Sequence, residues 1–489
     1  MYSPALKVFD AGWLPYAYAA RQAAYILSPN ALLMAEPHTG MGHLVLLLYA
    51  VLASLAVYGW CRAVQAARHM PQAGLMPLLL LSAALATVPL FFVGLFSDDV
   101  FLYHAYGRTI ETYAANPLLY APITFPDDPI LPFVFWRDLP SAYGPLWLML
   151  SAPVSRIAGE SATAAVLAYR GLALILHLGT AAAIWLVLRR AAPKEAAAGL
   201  VFYAWNPLVL IEVVANAHND VLVALFAVLV VAAAATRAWN RAIVCATCAV
   251  MVKPFAALLL APLGLRMLQA TPREHRPRVL ATGAAVAIAT ALLLSLPLWA
   301  GTALLTNVTT NPASHVYTNT IWELISRAGL WAGIDTVTIQ HPYLDWLTTA
   351  AFLAGAIWIL ARRWPPQRVA STALLLWVLF CLTAPWVWPW YFVPVIALAP
   401  LARGAGIALA AALTVGGLLF WTTWPPRPDY SGWLYIWRSL VLFGPVIAVI
   451  YSTPLRRWVG TVLSLRPASP RPGPLAEAPL RRLAPRLRA

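Results

Sequence analysis

Charge is scarce in this sequence. Only 10% of its 489 residues are Asp, Glu, Lys or Arg, and 18 of them are acidic, while 61% are hydrophobic. A soluble domain of this length carries about a quarter charged residues to keep its surface in water, so a soluble enzyme or scaffold is excluded. There is no GxGxxG and no P-loop, so neither common nucleotide-phosphate cradle is in place. No internal repeat stands out. Cysteine is rare, with four residues; Cys245 and Cys248 form a CxxC, but inside an apolar segment at helical spacing they read as small packing residues, not metal or redox ligands. Residues 1–42 lack a basic start followed by an apolar run and a cleavage site. An interfacial or extra-membrane segment is expected there.

Long apolar runs fill the rest. A helix needs about 20 apolar residues to cross the hydrocarbon core. Such runs lie near 43–64, 75–96, 164–188, 196–214, 219–236, 279–300, 346–362, 370–386 and 433–452, with weaker ones near 143–158, 242–265, 389–402 and 405–424. The expected fold is all-α, a polytopic transmembrane bundle with roughly eleven to thirteen crossings over 43–458. The net charge of +15 is spread through short loops and a tail, which argues against a nucleic-acid partner and for topology. Arg62 with Arg68, Arg189 with Arg190 and Lys194, Arg237 with Arg241, the run Arg266 to Arg278, Arg362 with Arg363 and Arg368, and Arg456 with Arg457 mark cytoplasmic loops. Loops 97–142, 215–219, 301–342, 386–389 and 422–432 then face outward. The parity closes only if 143–188 and 242–265 contain half-crossing helices, which lipid permits where their ends are buried in protein or line a cavity. Broken helices of this kind mark binding sites. The Pro- and Arg-rich segment 459–489 has too few apolar residues to form a core and is expected to be a disordered tail near anionic inner-leaflet lipids.

The first outward loop, 97–142, concentrates chemistry: SDDVFLYHAYGR, then NPLLYAP, then YGPLW. If Asp99 to Tyr113 is helical, Asp99, Tyr103, Tyr106 and Ile110 share one face, while His104, Arg108 and Glu111 share the other. That is an amphipathic helix of the kind that lies along an interface, followed by a second short element over Phe133 to Leu139. Asp98 and Asp99 either cap this helix or act on protons beside an intramembrane cavity. Glu212, near the end of its span in NPLVLIEVVANAHND, and Asp220 are candidate sugar-hydroxyl ligands or structural hydrogen-bond partners. His218-Asn219-Asp220 sets an imidazole and an oxygen two residues apart, enough for a divalent ion. The alternative is a helix start at Asn216 and Asp220. Lys253 precedes Pro254 in an apolar segment, so a half-helix N-terminus plus an ammonium there would suit a phosphate; a lysine snorkelling to a span end is the alternative.

Taken in order, SDDVFLYHAYGR, NPLLYAP, FWRDLPSAYGPLW, YAWNPLVLIEVVANAHNDVL, VKPFAALLLAPL and APWVWPWYFVPVIAL resemble the motifs of bacterial polyprenyl-phosphate-mannose-dependent mannosyltransferases of the GT-C superfamily. The resemblance runs from about Leu95 to Leu401. It implies an integral membrane glycosyltransferase of the bacterial cytoplasmic membrane, its active site facing outward, that moves a hexose, mannose by analogy, from a polyprenyl-phosphate donor to a glycan or lipid-linked acceptor with inversion. Neither a cofactor nor a tightly held metal is implied. The Asp opening the first large outward loop serves as base in that family, and its pattern falls on Asp99, Tyr103, Gly107 and Arg108, with Asp98 a second acid beside it. The chemistry asks for a base to take the acceptor proton and for cations or N–H donors on the departing phosphate. Lys253, Arg108 and Arg427 are the candidate phosphate binders. Tyr103, Tyr143, His315, Trp390 and Tyr391 join Glu212, His218, Asn219 and Asp220 as candidate sugar or acceptor contacts, although Trp390 and Tyr391 also suit an aromatic belt. The competing class is a transporter or flippase of lipid-linked sugars, in which the same charges would line a path and internal repeats would be expected.

Overall fold

The computed structural model describes residues 40–70, 75–92, 95, 97–311, 314, 317–332, 341–362, 369–423 and 432–463. Most of the expected N-terminal segment 1–42 and of the tail 459–489 lies outside the described residues, as do His315 and Arg427. Within them the α-helices are, in order, α1 Gly40–Ala67, α2 Leu75–Thr87, α3 Asp99–Glu111, α4 Pro145–Ala158, α5 Ala162–Ala191, α6 Ala196–Ala204, α7 Pro207–Val209, α8 Asp220–Ala235, α9 Trp239–Val250 and α10 Leu260–Ala270. They continue as α11 Arg276–Ser295, α12 Ala303–Thr310, α13 Ile321–Trp331, α14 His341–Ala361, α15 Val369–Thr383, α16 Val393–Ala402, α17 Ala405–Phe420, α18 Gly432–Tyr451 and α19 Thr453–Leu463. Among the described residues the one strand-like feature is an isolated bridge between Thr318 and Trp386. The protein is an all-α, multi-pass membrane bundle.

Four helices are long and apolar enough to cross a bilayer, Leu47–Ala67, Ala162–Ala191, Arg273–Leu298 and Tyr343–Ala361, and a pair bent by 43°, Pro193–Ala204 with Pro207–Ala215, makes a fifth. Other apolar helices, such as Asp220–Ala235 and Ala405–Phe420, run 10–17 residues. At 1.5 Å per residue they are shorter than the hydrocarbon core is thick. The eleven to thirteen crossings expected thus resolve into a few full-length spans and a set of short ones. The division of labour follows burial. On α1, α11 and α14 the large apolar residues point outward, among them Leu52, Leu55, Ile288, Leu293, Leu353 and Ile357, as lipid contact demands. By contrast α6 is buried at every residue, and α16 from Val393 to Pro400.

Both segments that the parity argument marked are broken. Between 143 and 188 the chain forms the 14-residue α4, turns at Gly159 and restarts as α5. Between 242 and 265 α9 stops at Val250, Lys253 is extended, as the residue before a proline tends to be, and a 3-10 turn over Pro254–Leu259 leads into α10.

The helix expected in loop 97–142 is present as α3, and its two faces are divided as the sequence implied. It does not lie along an open interface, however, because Val100 to Thr109 are all buried. The second face is covered by α4 and by the loop after α3. Gly107 allows the approach of α4: a Cβ there would stand 2.1 Å from Ser155 Oγ and 2.6 Å from the Ser151 carbonyl oxygen. Arg108 turns into the loop, where its Nε donates to Asp128 Oδ2 at 2.8 Å and its Nη1 to the Gly159 carbonyl at 2.9 Å. Tyr113 and the backbone N–H of Ile130 also donate to Asp128. His104, with Nδ1 3.0 Å from Ser155 Oγ and Nε2 3.1 Å from the Gly159 carbonyl, has its pKa lowered to about 4, chiefly by burial and then by the Arg108 charge; it is neutral at physiological pH. Where a second short element was expected over Phe133 to Leu139, the loop uses 3-10 turns earlier, at Pro122–Thr124 and Leu131–Phe133.

A buried ion pair is costly to break from one side, because the partner is left charged and unpaired, whereas removing both charges is close to neutral. Arg108→Met should therefore cost about 3 kcal/mol, and adding Asp128→Leu should recover most of it. Thermal unfolding in detergent checks this, and an unchanged melting temperature in the single variant would show that the pair does not hold the loop.

Candidate active site

The segment from Asn206 to Asp220 builds the centre of the site. Asn206 caps α7, its Oδ1 accepting from the N–H groups of Leu208 and Val209 at 3.1 Å, and Pro207 takes the first helical position, where its missing N–H costs nothing. The Asn206 Nδ2 donates to Thr414 Oγ1 on α17 at 2.9 Å. The chain then widens into a π turn over Leu210–Ala215. Such turns interrupt the i→i−4 ladder and recur at functional sites. The N–H groups of Asn216 and His218 close it onto the carbonyls of Ile211 and Glu212, and Ala217 follows at φ 58°, a left-handed conformation that an alanine adopts only under constraint. Arg170 of α5 donates to the Ala215 carbonyl at 2.7 Å and to the Phe91 carbonyl at 2.9 Å, pinning the turn from below.

This backbone presents Glu212, His218, Asn219 and Asp220 inward, all with no solvent exposure. His218 stands between two carboxylates: its Nδ1 is 3.6 Å from Asp99 Oδ2 and its Nε2 is 3.5 Å from Glu212 Oε2. Its ring stacks on Trp390 with centroids 3.9 Å apart at 20°, and Trp390 stacks on Trp388 at 4.9 Å and 8°. Glu212 is met on both oxygens, by Trp421 Nε1 at 2.7 Å on Oε1 and by Asn216 Nδ2 at 3.2 Å on Oε2. Asp99 stands at the first position of α3, its side chain 15% exposed, with Tyr103 OH 3.5 Å from its Oδ2. Burial opposes its ionisation, but the contact with His218 and the positive charge of Lys253 outweigh this and hold the carboxyl below its ordinary range. Asp98 occupies the N-cap position without a side-chain capping bond.

Lys253 completes the cluster. Its Nζ donates to Asp220 Oδ2 at 2.6 Å and lies 5.6–5.8 Å from the ring centroids of Tyr143, Phe255 and Tyr391, within range of cation–π attraction. The loop that brings Tyr143 in is pressed onto the break after α9. The Gly144 N–H bonds to the Val252 carbonyl, and a Cβ on Gly144 would stand 2.1 Å from the Met251 carbonyl oxygen, which explains the glycine in YGPLW. Asn219 leaves both side-chain polar atoms buried without a partner, as does Asp220 its Oδ1.

The structure thus gathers Asp99, Tyr103, Tyr143, Glu212, His218, Asn219, Asp220, Lys253, Trp390 and Tyr391 around one centre, from five separate stretches of chain. Arg108 does not join them, being committed to Asp128 on the far face of α3. Among the described residues no three His, Cys, Asp or Glu side chains converge to hold a metal ion, and Asp220 turns to Lys253 instead of sharing an ion with His218. Of the expected helix starts, Asp220 is the first residue of α8, with Asn219 at its N-cap position and no side-chain capping bond, whereas Asn216 ends the π turn. Sequence reasoning passed over Trp421 and Asp128. The signal available for Trp421 was general, since a buried carboxylate needs donors and a buried indole N–H needs an acceptor; 209 residues separate the two.

A family model described as alpha-(1->6)-mannopyranosyltransferase, N-terminal domain, matches residues 5–269, more than half of the chain. The chain belongs to that family. The matched region carries Asp99, Glu212, His218, Asn219, Asp220 and Lys253, whereas Trp390 and Trp421 lie beyond it. Among similar proteins, alpha-(1->6)-mannopyranosyltransferase A of Mycobacterium tuberculosis is 27% identical over 408 residues, covering 75% of this chain and 73% of the relative. Alpha-(1->6)-mannopyranosyltransferase B of Corynebacterium glutamicum is 32% identical over 135 residues, 26% of this chain and 21% of the relative. The chain thus matches about a fifth of the corynebacterial relative's length and about three quarters of the mycobacterial one's.

For this family member the partnering of Glu212 can be tested. Trp421→Phe keeps an aromatic ring but removes the N–H that donates to Glu212 Oε1, and an orphaned buried acceptor costs about 1–3 kcal/mol. A lower melting temperature in detergent is expected, and an unshifted one would count against the bond.

Proposed function

We propose that this protein is a membrane mannosyltransferase that moves a mannosyl group from a polyprenyl-phosphate carrier to a hydroxyl of a glycan or glycolipid acceptor on the outer side of the cell membrane. The relatives' names support the sugar, and the alpha-(1->6) linkage they carry is the first to test. The observation that carries the mechanism is that a partly exposed aspartate, Asp99, and a lysine held by Asp220, Lys253, belong to one cluster beside loop 97–142.

In the proposed step Asp99 accepts the proton of the acceptor hydroxyl as its oxygen attacks the anomeric carbon. The new C–O bond forms on one face while the bond to the carrier's phosphate oxygen breaks on the other, and the electron pair leaves with the phosphate. Displacement of this kind inverts the anomeric centre, so an alpha product calls for a beta-linked donor. Asp99, not Asp98, is assigned as base because it faces His218 and Tyr103. Lys253, at the break before Pro254, is assigned to the phosphate, which requires it to exchange Asp220 Oδ2 for a phosphate oxygen. The unpartnered atoms of Asn219 and Asp220 are then placed to receive sugar hydroxyls.

Purified full-length protein in detergent, given radiolabelled polyprenyl-phosphate mannose and an alpha-(1->6)-linked mannoside, should form a longer labelled glycan. Loss of a general base lowers rate by about a hundred to ten thousand fold, and Asp99→Asn should fall in that range while Asp98→Asn retains most activity. Lys253→Met should raise the donor KM more than it lowers kcat. Absence of transfer by the wild type from a panel of lipid-phosphate sugars would overturn the proposal and favour transport of the same lipids.

A further inference from the structure

Glu212 and His218 were candidate sugar ligands by sequence, yet both are fully buried with protein groups packed against them. Glu212 accepts from Trp421 and Asn216, and His218, whose ring nitrogens make no hydrogen bond in this structure, lies between two carboxylates and the Trp390 face. We propose that His218 is the positioning residue of the base, its ring fixed by Glu212 and the Trp390–Trp388 stack so that Nδ1 aims and holds the Asp99 carboxylate toward the acceptor. This rests on the assignment of Asp99 as base made above.

Geometry gives each member one task. A carboxylate on the end of a short side chain at a helix start rotates about χ1 and χ2, and Tyr103 at 3.5 Å restrains it weakly. An imidazole behind it supplies a second, directional contact. The ring itself needs an orienting group on its other nitrogen, the logic by which a carboxylate fixes a histidine in many sites, and Glu212 is that group. Glu212 is held in turn by an indole from α17's end and by Asn216 across the π turn. The π turn and the left-handed Ala217 are what place Glu212 and His218 close enough to face each other while His218 still reaches Asp99. The 3.5–3.6 Å separations are longer than hydrogen bonds, and catalytic contacts tighten when substrate binds.

Asp99 is faced by other groups too: Tyr103 and Tyr106 from its own helix, Tyr143, Lys253, Asp220 and Tyr391. Of these His218 is the one in contact with Oδ2 from another element. Its removal should let Asp99 protonate at higher pH, so that the acid limb of kcat/KM moves upward.

The test measures kcat, donor KM and the pH profile of transfer for wild type, Asp99→Asn, His218→Ala, His218→Gln and Glu212→Gln, with the radiolabelled donor and mannoside named above. Loss of an outer partner of this kind costs about 10–100-fold. His218→Ala is expected to lose about a hundredfold in kcat with donor KM changed less than about threefold, and to shift the acid limb to higher pH. His218→Gln, which restores an N–H donor, should recover part of the rate, and Glu212→Gln should lose about tenfold. If His218→Ala does not fold, the two amide variants decide. Wild-type kcat and an unmoved acid limb in the folded His218 and Glu212 variants, with Asp99→Asn inactive, would overturn the positioning role and leave the base intact. Activity in Asp99→Asn would instead overturn the base assignment itself.

Discussion

A charge inside a membrane bundle must meet an opposite charge or a donor, because neither lipid nor packed apolar side chains can solvate it. That constraint organises this structure. Asp128 is met by Arg108, Tyr113 and a backbone N–H; Asp220 by Lys253; Glu212 by Trp421 and Asn216; and His218 lies between Glu212 and Asp99. Each pairing ties together elements far apart in sequence, so the polar cluster that looks like a liability for stability also fixes how α3, α8, α17 and the α9–α10 break are arranged. Polar satisfaction stops short at the Asn219 amide, Asp220 Oδ1 and the two His218 ring nitrogens, whose carboxylate neighbours stand 3.5–3.6 Å away. Buried polar atoms without a partner are expensive, and here they sit beside the lysine assigned to the donor phosphate, which is where a bound sugar would offer hydroxyls.

The broken helices follow from the same constraint. An unbroken α-helix satisfies its own backbone and offers none of it to a ligand. At three places this chain gives that up: the π turn at Leu210–Ala215, the left-handed Ala217, and the extended Lys253 between α9 and the Pro254 turn. The groups released find protein partners, such as Arg170 on the Ala215 carbonyl and the Gly144 and Leu146 N–H groups on the carbonyls of Val252 and Met251. Irregular backbone is tolerated at such depth only when it is enclosed in this way, so the covering of the π turn by α5 and of the α9 break by the YGPLW loop is a condition for having the site at all.

The class of fold was legible in composition and run length, and so were the two irregular segments, because parity failed where 143–188 and 242–265 were read as simple spans. Asp99, Tyr103, Glu212, His218, Asn219, Asp220 and Lys253 could be singled out one by one, since a polar or charged residue in an apolar chain stands out. Their grouping could not be read. Nothing local to HND says that its histidine lies between Asp99 and Glu212, or that Lys253, 33 residues on, closes onto Asp220. Arg108 shows the converse. Its spacing from Asp99 put it on the opposite face, and that periodicity was sound, but the motif's likeness to a catalytic pattern drew it toward the phosphate. Its partner, Asp128, lies in an irregular loop where no periodicity applies. Among the described residues some of the apolar runs are shorter helices, because hydropathy registers apolar composition and a short helix buried on all sides inside a bundle is as apolar as one that spans the full core.

The pattern running from Asp99 through Tyr103 to Gly107 and Arg108 acquires a physical meaning from α3. Positions i and i+4 put Asp99 and Tyr103 on the face toward the cluster, where the tyrosine packs edge-on against Tyr143 and Trp147. Positions i+8 and i+9 fall about two and a half turns on, where Gly107 gives up its side chain so that α4 can close and Arg108 anchors the loop through Asp128. With Asp99 as the proposed base, one short helix would carry chemistry at its first turn and anchorage at its last. The anchorage matters to that assignment because α3 is only 13 residues long and its N-terminal carboxylate is the partly exposed carboxylate of the cluster. Held only at that end it would swing with the loop. With its far end locked to α4 and Asp128, the position of Asp99 is set by rigid packing, and a histidine contact at its carboxylate is then sufficient to fix the remaining rotation.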